Sequence, residues 1–396
     1  MYPLTDLRVL DLSRVVSGPF AGRMLCDLGA DVVKVEPPEG DVTRLWGRRV
    51  AGLPGFYNQQ NAGKRGVCID LKHPDGAGVV LELAAVADVV IENFRPGVAD
   101  RLGIGWDQLS QTKSDMVMLS ISGFGQTGPD FERRAYAPVI HAEAGLIHRQ
   151  SLFDAAPPVD PMFSMADSYA SLHGLVAVLA ALRMRDQQRL LGLSQGQHID
   201  MSMLHAMISS DDYMHHTADE HPVVRLGGTV YETSTGDESS PPILLAGEAR
   251  YVWSQLSRHA GVHDPTPDGA GLATKIACRG AAIREWVSSF EVRADLCTEL
   301  DRLAIAWGDV HDGPGVLTSP TVVERNVFAE VDDGTGQPRR LVDSPYRFSD
   351  ASSGVRSRAP HLGEHHEDVF SDWLGWDEAT VADLISRTVL LGPEVS

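Results

Sequence analysis

Short apolar runs alternate with amphipathic stretches along the first two hundred residues. Strand-like runs occur at Leu7–Leu12, Ala30–Glu36, Asp88–Glu92 and Met116–Ser122, and helical spacing of apolar residues follows them. Strands that alternate with helices predict βαβ units, a parallel sheet and a ligand crevice at the carboxyl ends of the strands. The N-terminal part of the chain is therefore predicted to be an α/β domain.

The longest helical pattern follows a single carboxylate, Asp167. From Ser168 onward, the spacing predicts one buried helix face made of Leu172, Leu175, Val176, Leu179 and Leu182. Arg183 and Arg185 then suit the negative end of that helix. Asp167 can be a plain N-cap, for which Asp is a preferred residue, and this stretch alone favours that interpretation. The alternative is a nucleophile beside backbone N–H groups that stabilise an oxyanion.

The texture of the sequence changes between residues 223 and 330, after a polar stretch at 211–220 that is typical of a linker. Short strands and helices predict a second, smaller α+β domain, with elements at Thr229–Tyr231, Ile243–Ala246, Val252–His259, Ala281–Phe290 and Ala294–Ala304. The tail returns to sheet-like runs at Asn326–Val331 and Arg340–Val342. It continues through a turn-rich approach to the segment Ala359–Trp376 and ends with a helix around Asp377–Arg387.

Two glycine motifs lack the context that their chemistry requires. Gly123, Gly125 and Gly128 spell GxGxxG after a strand, but Pro129 and the residues after it predict no helix to hold a pyrophosphate. The GxSxG at 192–196 follows a helix and precedes a strand, the reverse of a nucleophile elbow, which argues against Ser194 as a nucleophile. The first βα turn lacks GxGxxG, so a dinucleotide site there is weakly supported.

Composition and charge narrow the ligand class. The 396 residues carry a net charge of −20, yet residues 1–135 contain 15 Lys and Arg against 17 Asp and Glu, which suggests cations kept for an anionic ligand. No basic run or stacking-aromatic pattern indicates nucleic acid. No apolar run reaches the ~20 residues of a membrane span, no signal sequence is evident, and four cysteines show no CxxC spacing. We expect a cytoplasmic protein that does not bind membranes.

Eight segments in this order resemble the family III CoA-transferases, the family that also contains the α-methylacyl-CoA racemases. They are Leu7–Gly22 (LRVLDLSRVVSGPFAG), Leu28–Glu36 (LGADVVKVE), Asn61–Lys72 (NAGKRGVCIDLK), Asp88–Gly97 (DVVIENFRPG), Ser122–Pro129 (SGFGQTGP), the Asp167 stretch, Gly196–Asp200 (GQHID) and Ala359–His365 (APHLGEH). The match is dense over residues 1–205 and thin in the middle of the chain.

The resemblance implies an acyl-CoA:carboxylate CoA-transferase in which Asp167 is the catalytic nucleophile. The carboxylate would attack a CoA thioester and pass through a mixed anhydride and an enzyme–CoA thioester. No metal and no cofactor beyond coenzyme A as substrate are implied. Covalent catalysis of this kind divides one hard exchange into smaller steps, but water must be kept away from the activated acyl groups.

The resemblance also implies which residues bind CoA. They are Val16, Ser17, Ile69, Asp70, Leu71, Lys72, Asn93, Phe94, Arg95, Arg101, Arg134 and Tyr136. A solvated surface charge is the bland alternative for Lys72, Arg95 and Arg101, but each follows a predicted strand, where α/β ligand sites form. Ligand binding and a purely structural role stay equally open for Arg14, Lys64 and Arg65.

Three positions depart from the family's patterns. Racemase members have a catalytic His where this chain has Tyr136, and an un-ionised Tyr is a poor base, which favours a transferase. The transferases commonly have an acidic residue where this chain has Ala137. A glycine-rich loop of some transferases has only a faint counterpart at Gly227 and Gly228. A 2-methylacyl-CoA racemase and a non-catalytic or thioester-hydrolysing CoA binder remain as alternatives.

The fold implied by the resemblance is α/β, with a Rossmann-like large domain built from N- and C-terminal segments plus a smaller α+β domain. We therefore predict a large domain at 1–210, a small domain with linkers at 211–330, and a return to the large domain at 331–396. Two copies are implied to form an interlocked homodimer. The expected partners are acyl-CoA, carboxylic acids and the second copy of the chain.

Overall fold

The computed structural model describes residues 1–219, 227–233 and 241–392. The chain forms two compact units, one from Met1–Ala218 with Asn326–Ser396 and the other from Asp219–Arg325. The large unit extends further at both joins than the sequence-based boundaries at 210 and 331. The hairpin after Arg325 belongs to the large unit because Val331 and Leu341 pack against Ala62. Residue 220, the last of the polar stretch 211–220 that was expected to be a linker, lies outside the described residues.

A six-stranded sheet forms the centre of the large unit, and every neighbouring pair of strands in it is parallel. The strand order is β5-β2-β1-β6-β7-β8. Its strands are β1 (Arg8–Asp11), β2 (Asp31–Glu36), β5 (Arg65–Cys68), β6 (Val89–Glu92), β7 (Val117–Ser122) and β8 (Gln197–Ser202). A two-stranded ribbon joins β3 (Arg49–Val50) to β4 (Leu53–Pro54). The predicted α/β architecture with a parallel sheet is confirmed.

Helices cover both faces of this sheet, as they must in a parallel sheet. One core contains residues of α1 (Ser17–Asp27), α6 (Ala137–Glu143), α8 (Met165–Leu190) and α9 (Met203–Ser209). The opposite core contains residues of α3 (Gly76–Val86), α4 (Val98–Arg101), α5 (Trp106–Thr112), α16 (His366–Leu374) and α17 (Glu378–Ser386). The unit also contains a 3₁₀ turn at Val42–Leu45 and three further helices, α2 (Gly55–Asn61), α7 (Leu146–Asp154) and α10 (Met214–Ala218).

Helix α8 buries a different face from the one predicted. Leu175 and Leu182 are buried, but Leu172 and Val176 are 42% and 65% exposed. The buried residues are mostly small, with Ala166, Ala170, Gly174, Val178 and Ala181 among them. A Cβ at Gly174 would lie 2.9 Å from the Leu119 side chain, so the helix packs closely on β7 there. The helix also continues to Leu190, so Arg183 and Arg185 do not end it, and Arg185 instead pairs with Asp88 at 2.8 Å.

By length and composition alone, α8 also passes the test for a membrane-spanning helix. The sequence-based expectation of no such run was therefore too strict. The core helix of a soluble protein passes the same test, and 44% of the apolar window is buried inside this unit. The result is weak evidence for a membrane span.

The C-terminal segment returns to the edge of the main sheet. It forms a hairpin of β12 (Phe328–Asp332) and β13 (Pro338–Val342), then α16 and α17. Helix α16 lies within the segment Ala359–Trp376, and α17 lies where the C-terminal helix around Asp377–Arg387 was predicted. After α17, Leu390 bridges Ile69, and the Leu391 N–H donates to the Cys68 carbonyl at 3.2 Å. The chain end thereby covers the open side of β5.

The small unit has its own sheet and core. Antiparallel strands lie in the order β11-β10-β9, with bounds Trp307–Asp309, Ile243–Leu245 and Thr229–Tyr231. Its helices are α11 (Ala249–His259), α12 (Leu272–Ser288), α13 (Arg293–Arg302), α14 (Gly313–Thr318) and α15 (Pro320–Glu324). Leu256, Val287, Leu296 and Leu300 are fully buried between them. Gly228 packs on β10, where a Cβ would lie 2.7 Å from the Leu245 carbonyl oxygen.

Candidate active site

Two helix starts meet at Asp167. The carboxylate belongs to the third residue of α8, and Ser17 is the first residue of α1. Ser17 hydrogen-bonds to this carboxylate through both its hydroxyl and its backbone amide. The Ser171 hydroxyl fastens the two helices together, because it shares its one hydrogen between the Ser17 carbonyl at 2.6 Å and the Asp167 carbonyl at 2.7 Å. The N-terminal poles of both helices therefore favour negative charge at this carboxylate.

Asp167 is not the N-cap of its own helix, because Ser164 occupies that position. Its carboxylate reaches the start of α1 instead, which removes the plain-cap interpretation. Burial raises the pKa of Asp167 to about 6, while hydrogen bonds from Ser17 act to lower it. A carboxylate of this kind is more basic than an ordinary Asp and is still mostly ionised at neutral pH. Those are the properties of a usable nucleophile.

The turn between β1 and α1 is strained, and buried charges hold it. Val15 has a φ of 71°, which non-glycine residues rarely adopt. Its N–H donates to the Asp41 carboxylate at 3.1 Å. The fully buried Lys34 ammonium donates to the Ser13 carbonyl at 2.7 Å and lies 3.4 Å from Asp41. These contacts fix the backbone that leads into Ser17.

Lys64, for which the sequence left ligand binding and a structural role equally open, supports the same turn. Its Nζ donates to Asp11 Oδ2 at 2.7 Å, to the Pro19 carbonyl at 2.8 Å and to Asn61 Oδ1 at 2.9 Å. Burial acts to raise the pKa of Asp11, but Lys64 and Lys34 outweigh it and hold that pKa below the usual value. With all three of its donors in use inside the protein, the Lys64 ammonium is structural.

Arg65, the other open cation of that segment, is also structural. Its guanidinium donates to both Asp31 and Asp372. Arg14 differs, because its side chain is exposed and lines a cavity described next.

A cavity of about 160 Å³ lies at the carboxyl ends of β1, β2, β5 and β6. Several of the predicted CoA-binding residues line it together, namely Asp70, Leu71, Lys72 and Phe94, with Arg14 beside them. The remaining lining is mostly apolar and includes Leu12, Val98 and Leu102, together with two acidic residues, Glu36 and Glu39. A cavity with apolar walls and cations at its rim suits a flat, partly apolar group that carries phosphates.

Asn93 connects this cavity to the Asp167 carboxylate. Its Nδ2 donates to the Arg14 carbonyl at 2.6 Å and to Ser17 Oγ at 3.1 Å. Its Oδ1 accepts the Arg14 N–H at 2.8 Å. The contacts therefore run from the cavity wall through Asn93 and Ser17 to Asp167.

The other predicted CoA-binding residues lie outside that cavity lining. Ile69 is fully buried in a core, so only its backbone is available for contacts. Val16 is buried at the start of α1, while Arg95 and Arg101 are exposed around α4. Arg134 is exposed, and Tyr136, 68% exposed, precedes α6.

Two buried titratable residues near the site, His141 and Glu92, were not predicted from the sequence. His141 is 1% exposed on α6, its Nδ1 lies 2.8 Å from Asp160 Oδ1, and its Nε2 accepts the Ala166 N–H at 3.2 Å. Glu92 is 3% exposed at the end of β6 and accepts the Phe94 N–H at 2.7 Å. Burial raises the pKa of Glu92 to about 7. One signal was available for Glu92, since it directly precedes the Asn93–Gly97 segment.

The glycine loop after β7 offers no comparable anion site. The Gln126 N–H already lies 3.0 Å from both carboxylate oxygens of Asp200, and the next helix, α6, starts only at Ala137. Across residues 1–219, 227–233 and 241–392, no three His, Cys, Asp or Glu side chains are placed to hold one metal ion.

Comparison with known proteins shows similarity over nearly the whole chain. The model of CoA-transferase family III matches residues 4–366. The succinyl-CoA–L-malate CoA-transferase beta subunit of Chloroflexus aurantiacus is 30% identical, with 98% of each chain covered. The succinyl-CoA:glutarate CoA-transferase of Mus musculus is 36% identical over 98% of this chain and 91% of that protein.

A solved structure shows the same fold. The crystal structure of a CaiB/BaiF family protein from Brucella suis superposes with a TM-score of 0.77 at 30% identity, and covers 94% of this chain and 99% of the other. The family model spans nearly all of the large unit and the whole of the small one. The chain belongs to the family III CoA-transferases.

Proposed function

We propose that this transferase moves CoA between an acyl-CoA thioester and a free carboxylic acid through covalent intermediates on Asp167. The observation that carries the proposal is the position of Asp167, whose carboxylate accepts hydrogen bonds from the start of α1. The chain of contacts through Ser17 and Asn93 joins it to a cavity edged by Arg14 and Lys72. Cations at that rim suit the phosphates of CoA.

The exchange balances in four steps. An Asp167 oxygen attacks the thioester carbonyl carbon, and the CoA thiolate leaves, which gives a mixed anhydride. The thiolate attacks the Asp167 carbonyl carbon, the donor leaves as a carboxylate, and an enzyme–CoA thioester remains. An acceptor carboxylate attacks that thioester, forms a second anhydride and releases the thiolate. The thiolate finally attacks the acceptor carbonyl and frees Asp167. No step consumes a proton, and CoA enters only as substrate, so we propose no further cofactor.

The tetrahedral intermediates in these steps each carry an oxyanion. Backbone N–H groups at helix starts stabilise such charge, and removing one such donor typically costs about 10²–10³ in rate. The Ser17 amide at the start of α1 is such a donor, and it already hydrogen-bonds to the Asp167 carboxylate. We propose that it stays in contact with the oxygens of that group as they pass through the anhydride and thioester.

Dicarboxylates are the substrates that we propose. The names of two relatives pair succinyl-CoA with malate or glutarate, and that of an Agrobacterium fabrum relative, 30% identical, pairs succinate with glutarate. Succinyl-CoA is therefore the first donor to assay, with malate, glutarate and oxalate as acceptors and acetyl-CoA as a donor that lacks the second carboxylate.

Trapping of the acyl-enzyme tests the proposal directly. The protein is incubated with succinyl-CoA and then hydroxylamine, and peptides are analysed by mass spectrometry. We expect a hydroxamate at Asp167 and loss of CoA exchange in Asp167→Ala. Asp295→Ala is the matched control, because Asp295 is also the third residue of its helix but is exposed. A full exchange rate in Asp167→Ala would overturn the nucleophile assignment.

The racemase alternative makes a different prediction. It needs two acid/base groups on either side of the α-carbon, and Tyr136 stands exposed where racemases have their His. Deuterium uptake at the α-carbon of a 2-methylacyl-CoA, without CoA exchange, would support it. We expect exchange without that uptake.

We also propose that two copies associate. Leu172, Val176 and Met184 on the outer side of α8 are 37–65% exposed, and Met162 and Phe163 before it are more than half exposed. Exposed apolar patches of this kind mark interaction sites. Light scattering coupled to size exclusion should give the mass of a dimer, and a charged substitution, Val176→Glu, should shift it toward the monomer.

A further inference from the structure

We propose that His141 is a positioning residue for the nucleophile: it ties Asp160, in the loop before α8, to the first turn of that helix. This inference rests on the proposed role of Asp167. The contacts that carry it are the Asp160–His141–Ala166 hydrogen bonds, which we call the His141 bridge.

The hydrogen bonds fix which nitrogen of His141 carries the proton. A backbone N–H can only donate, so His141 Nε2, at 3.2 Å from the Ala166 nitrogen, must accept. The proton of a neutral imidazole then lies on Nδ1, which faces the Asp160 carboxylate at 2.8 Å. Asp160 therefore holds the ring in the tautomer that the helix start requires.

The His141 bridge ends at the first turn of α8, directly before Asp167. The first N–H groups of a helix have no partner within the helix, and Ser164 at the N-cap makes no side-chain hydrogen bond to them. His141 supplies one acceptor from a different helix, to the residue directly before Asp167. At 1% exposure, His141 admits almost no water to replace it. The orientation of the first turn, and with it the Asp167 carboxylate, depends on this imidazole.

The bridge also fixes the segment through which the chain enters α8. Asp160 lies on the exposed segment between α7 and α8, four residues before the N-cap. Among the described residues, the bond to His141 is the one side-chain hydrogen bond of Asp160 that the structure shows. The entry to α8 is thus held from α6, the helix that Tyr136 precedes.

Substitution of His141 separates positioning from general stability. His141→Gln keeps an acceptor for Ala166 and a donor for Asp160, whereas His141→Leu removes both. We expect His141→Leu to lower kcat for succinyl-CoA on the order of 10²-fold, the cost of a nucleophile misplaced by about 1 Å, with little change in KM. His141→Gln should restore most of the rate. Equal rates in the Leu and Gln variants, or a loss confined to KM, would overturn the proposal.

His366→Leu is the matched control. His366 is also buried and its Nε2 accepts a backbone N–H, that of Cys68, at 2.9 Å, but it packs beside Phe370 in the opposite core. The His366→Leu substitution should lower the melting temperature and leave kcat of the folded protein unchanged. If His141→Leu does not fold, Asp160→Ala keeps the test open, because Asp160 is exposed and its removal frees the tautomer. That variant should lower kcat as well, and no loss would count against the bridge.

Hydrogen exchange distinguishes failure of the bridge from failure of the proposed function. The amides of residues 166–168 should exchange faster in His141→Leu and return to slow exchange in His141→Gln. If the unaltered protein forms no adduct at Asp167, the proposed function fails, and the bridge is then judged by exchange alone. Unchanged protection in His141→Leu would overturn the bridge whatever the activity.

Discussion

Two turns at the same edge of the large sheet differ in a way that their sequences conceal. The loop Gly123–Gly128 after β7 carries the glycine spacing of a phosphate-binding turn, yet Asp200 occupies its Gln126 amide and no helix follows directly. The turn Ser13–Ser17 after β1 lacks that spacing, yet it opens an eleven-residue helix whose first amide faces Asp167. Anion-binding capacity here follows from a free helix start and not from the glycine pattern.

The two turns also differ in what holds them. Buried charges beneath the first turn satisfy its strained backbone, with Lys34 and Lys64 both at 2% exposure or less. The glycine loop is held at Gln126 by the exposed Asp200 carboxylate and at Gly123 by the Leu204 N–H, which donates to the Gly123 carbonyl at 3.0 Å. We therefore expect the first turn to be sensitive to substitution of buried residues and the second to be tolerant.

The largest effect is expected beneath the first turn. Lys64→Met leaves Asp11 as an unpaired buried charge and should lower the free energy of unfolding by about 3–5 kcal/mol. Denaturant unfolding measures it. Adding Asp11→Asn to that variant should recover part of the loss, and Arg302→Met, in an exposed pair with Glu299, should show no change. If the Lys64→Met variant were as stable as the unaltered protein, buried charges would not be what holds the first turn.

The next largest effect is expected at Glu92, the last residue of β6, which lies between β1 and β7 in the sheet. Its pKa is raised to about 7, so between pH 4.5 and 7 the folded protein keeps a proton that the unfolded chain has lost. Stability is therefore lost as the pH rises through this window. Glu92→Gln cannot ionise and should be more stable by on the order of 3 kcal/mol at about pH 8, with no gain below about pH 4.5. If the difference in melting temperature between Glu92→Gln and the unaltered protein did not change with pH, the raised pKa of Glu92 would not be its cause.

The third prediction concerns the rate of adduct formation at Asp167. Only the ionised carboxylate attacks, so with a pKa of about 6 the rate should fall about tenfold per pH unit below 6 and level off above it. Ser17→Ala removes a hydrogen bond that lowers this pKa and should move the falling limb to higher pH. Quenched-flow labelling across pH measures both. If the rate fell over the same pH range in Ser17→Ala as in the unaltered protein, the first turn would not influence the pKa of Asp167.

The smallest effect is expected at the glycine loop. Asp200→Ala frees one exposed amide and should cost at most about 1 kcal/mol of unfolding free energy. The pH profile of labelling at Asp167 should not move. A large loss of labelling in this variant would mean that the two turns act together.

The sequence predicted the alternation of strands and helices because local periodicity determines it. The sequence pattern predicts a turn over Ser13–Pro19 and a helix over Phe20–Leu28, whereas the helix begins at Ser17. Proline is tolerated in the first helical turn, where its missing N–H has no partner to lose. That difference matters, since Ser17 is the residue that reaches Asp167.

The contacts that support the site could not be predicted from the sequence, for a different reason. Lys64 meets Asp11 across 53 residues, and His141 meets Asp160 across 19, so only the folded chain brings them together. The buried face of α8 was mispredicted because leucines mark apolar stripes, while close packing on β7 selected the small residues around Gly174. Asp167, by contrast, was identified through the resemblance to a family and not through its own surroundings.

The return of the chain end to β5 has a consequence for synthesis on the ribosome. The Asp70 N–H donates to the Val389 carbonyl at 2.9 Å, so the strand end that leads into the cavity wall is completed by a residue that is made after the whole small unit. The small unit, Asp219–Arg325, emerges earlier and carries its own core. Because domains generally fold as units during synthesis, the small unit is able to fold first, while the large unit stays unfinished until residues 326–392 have been made.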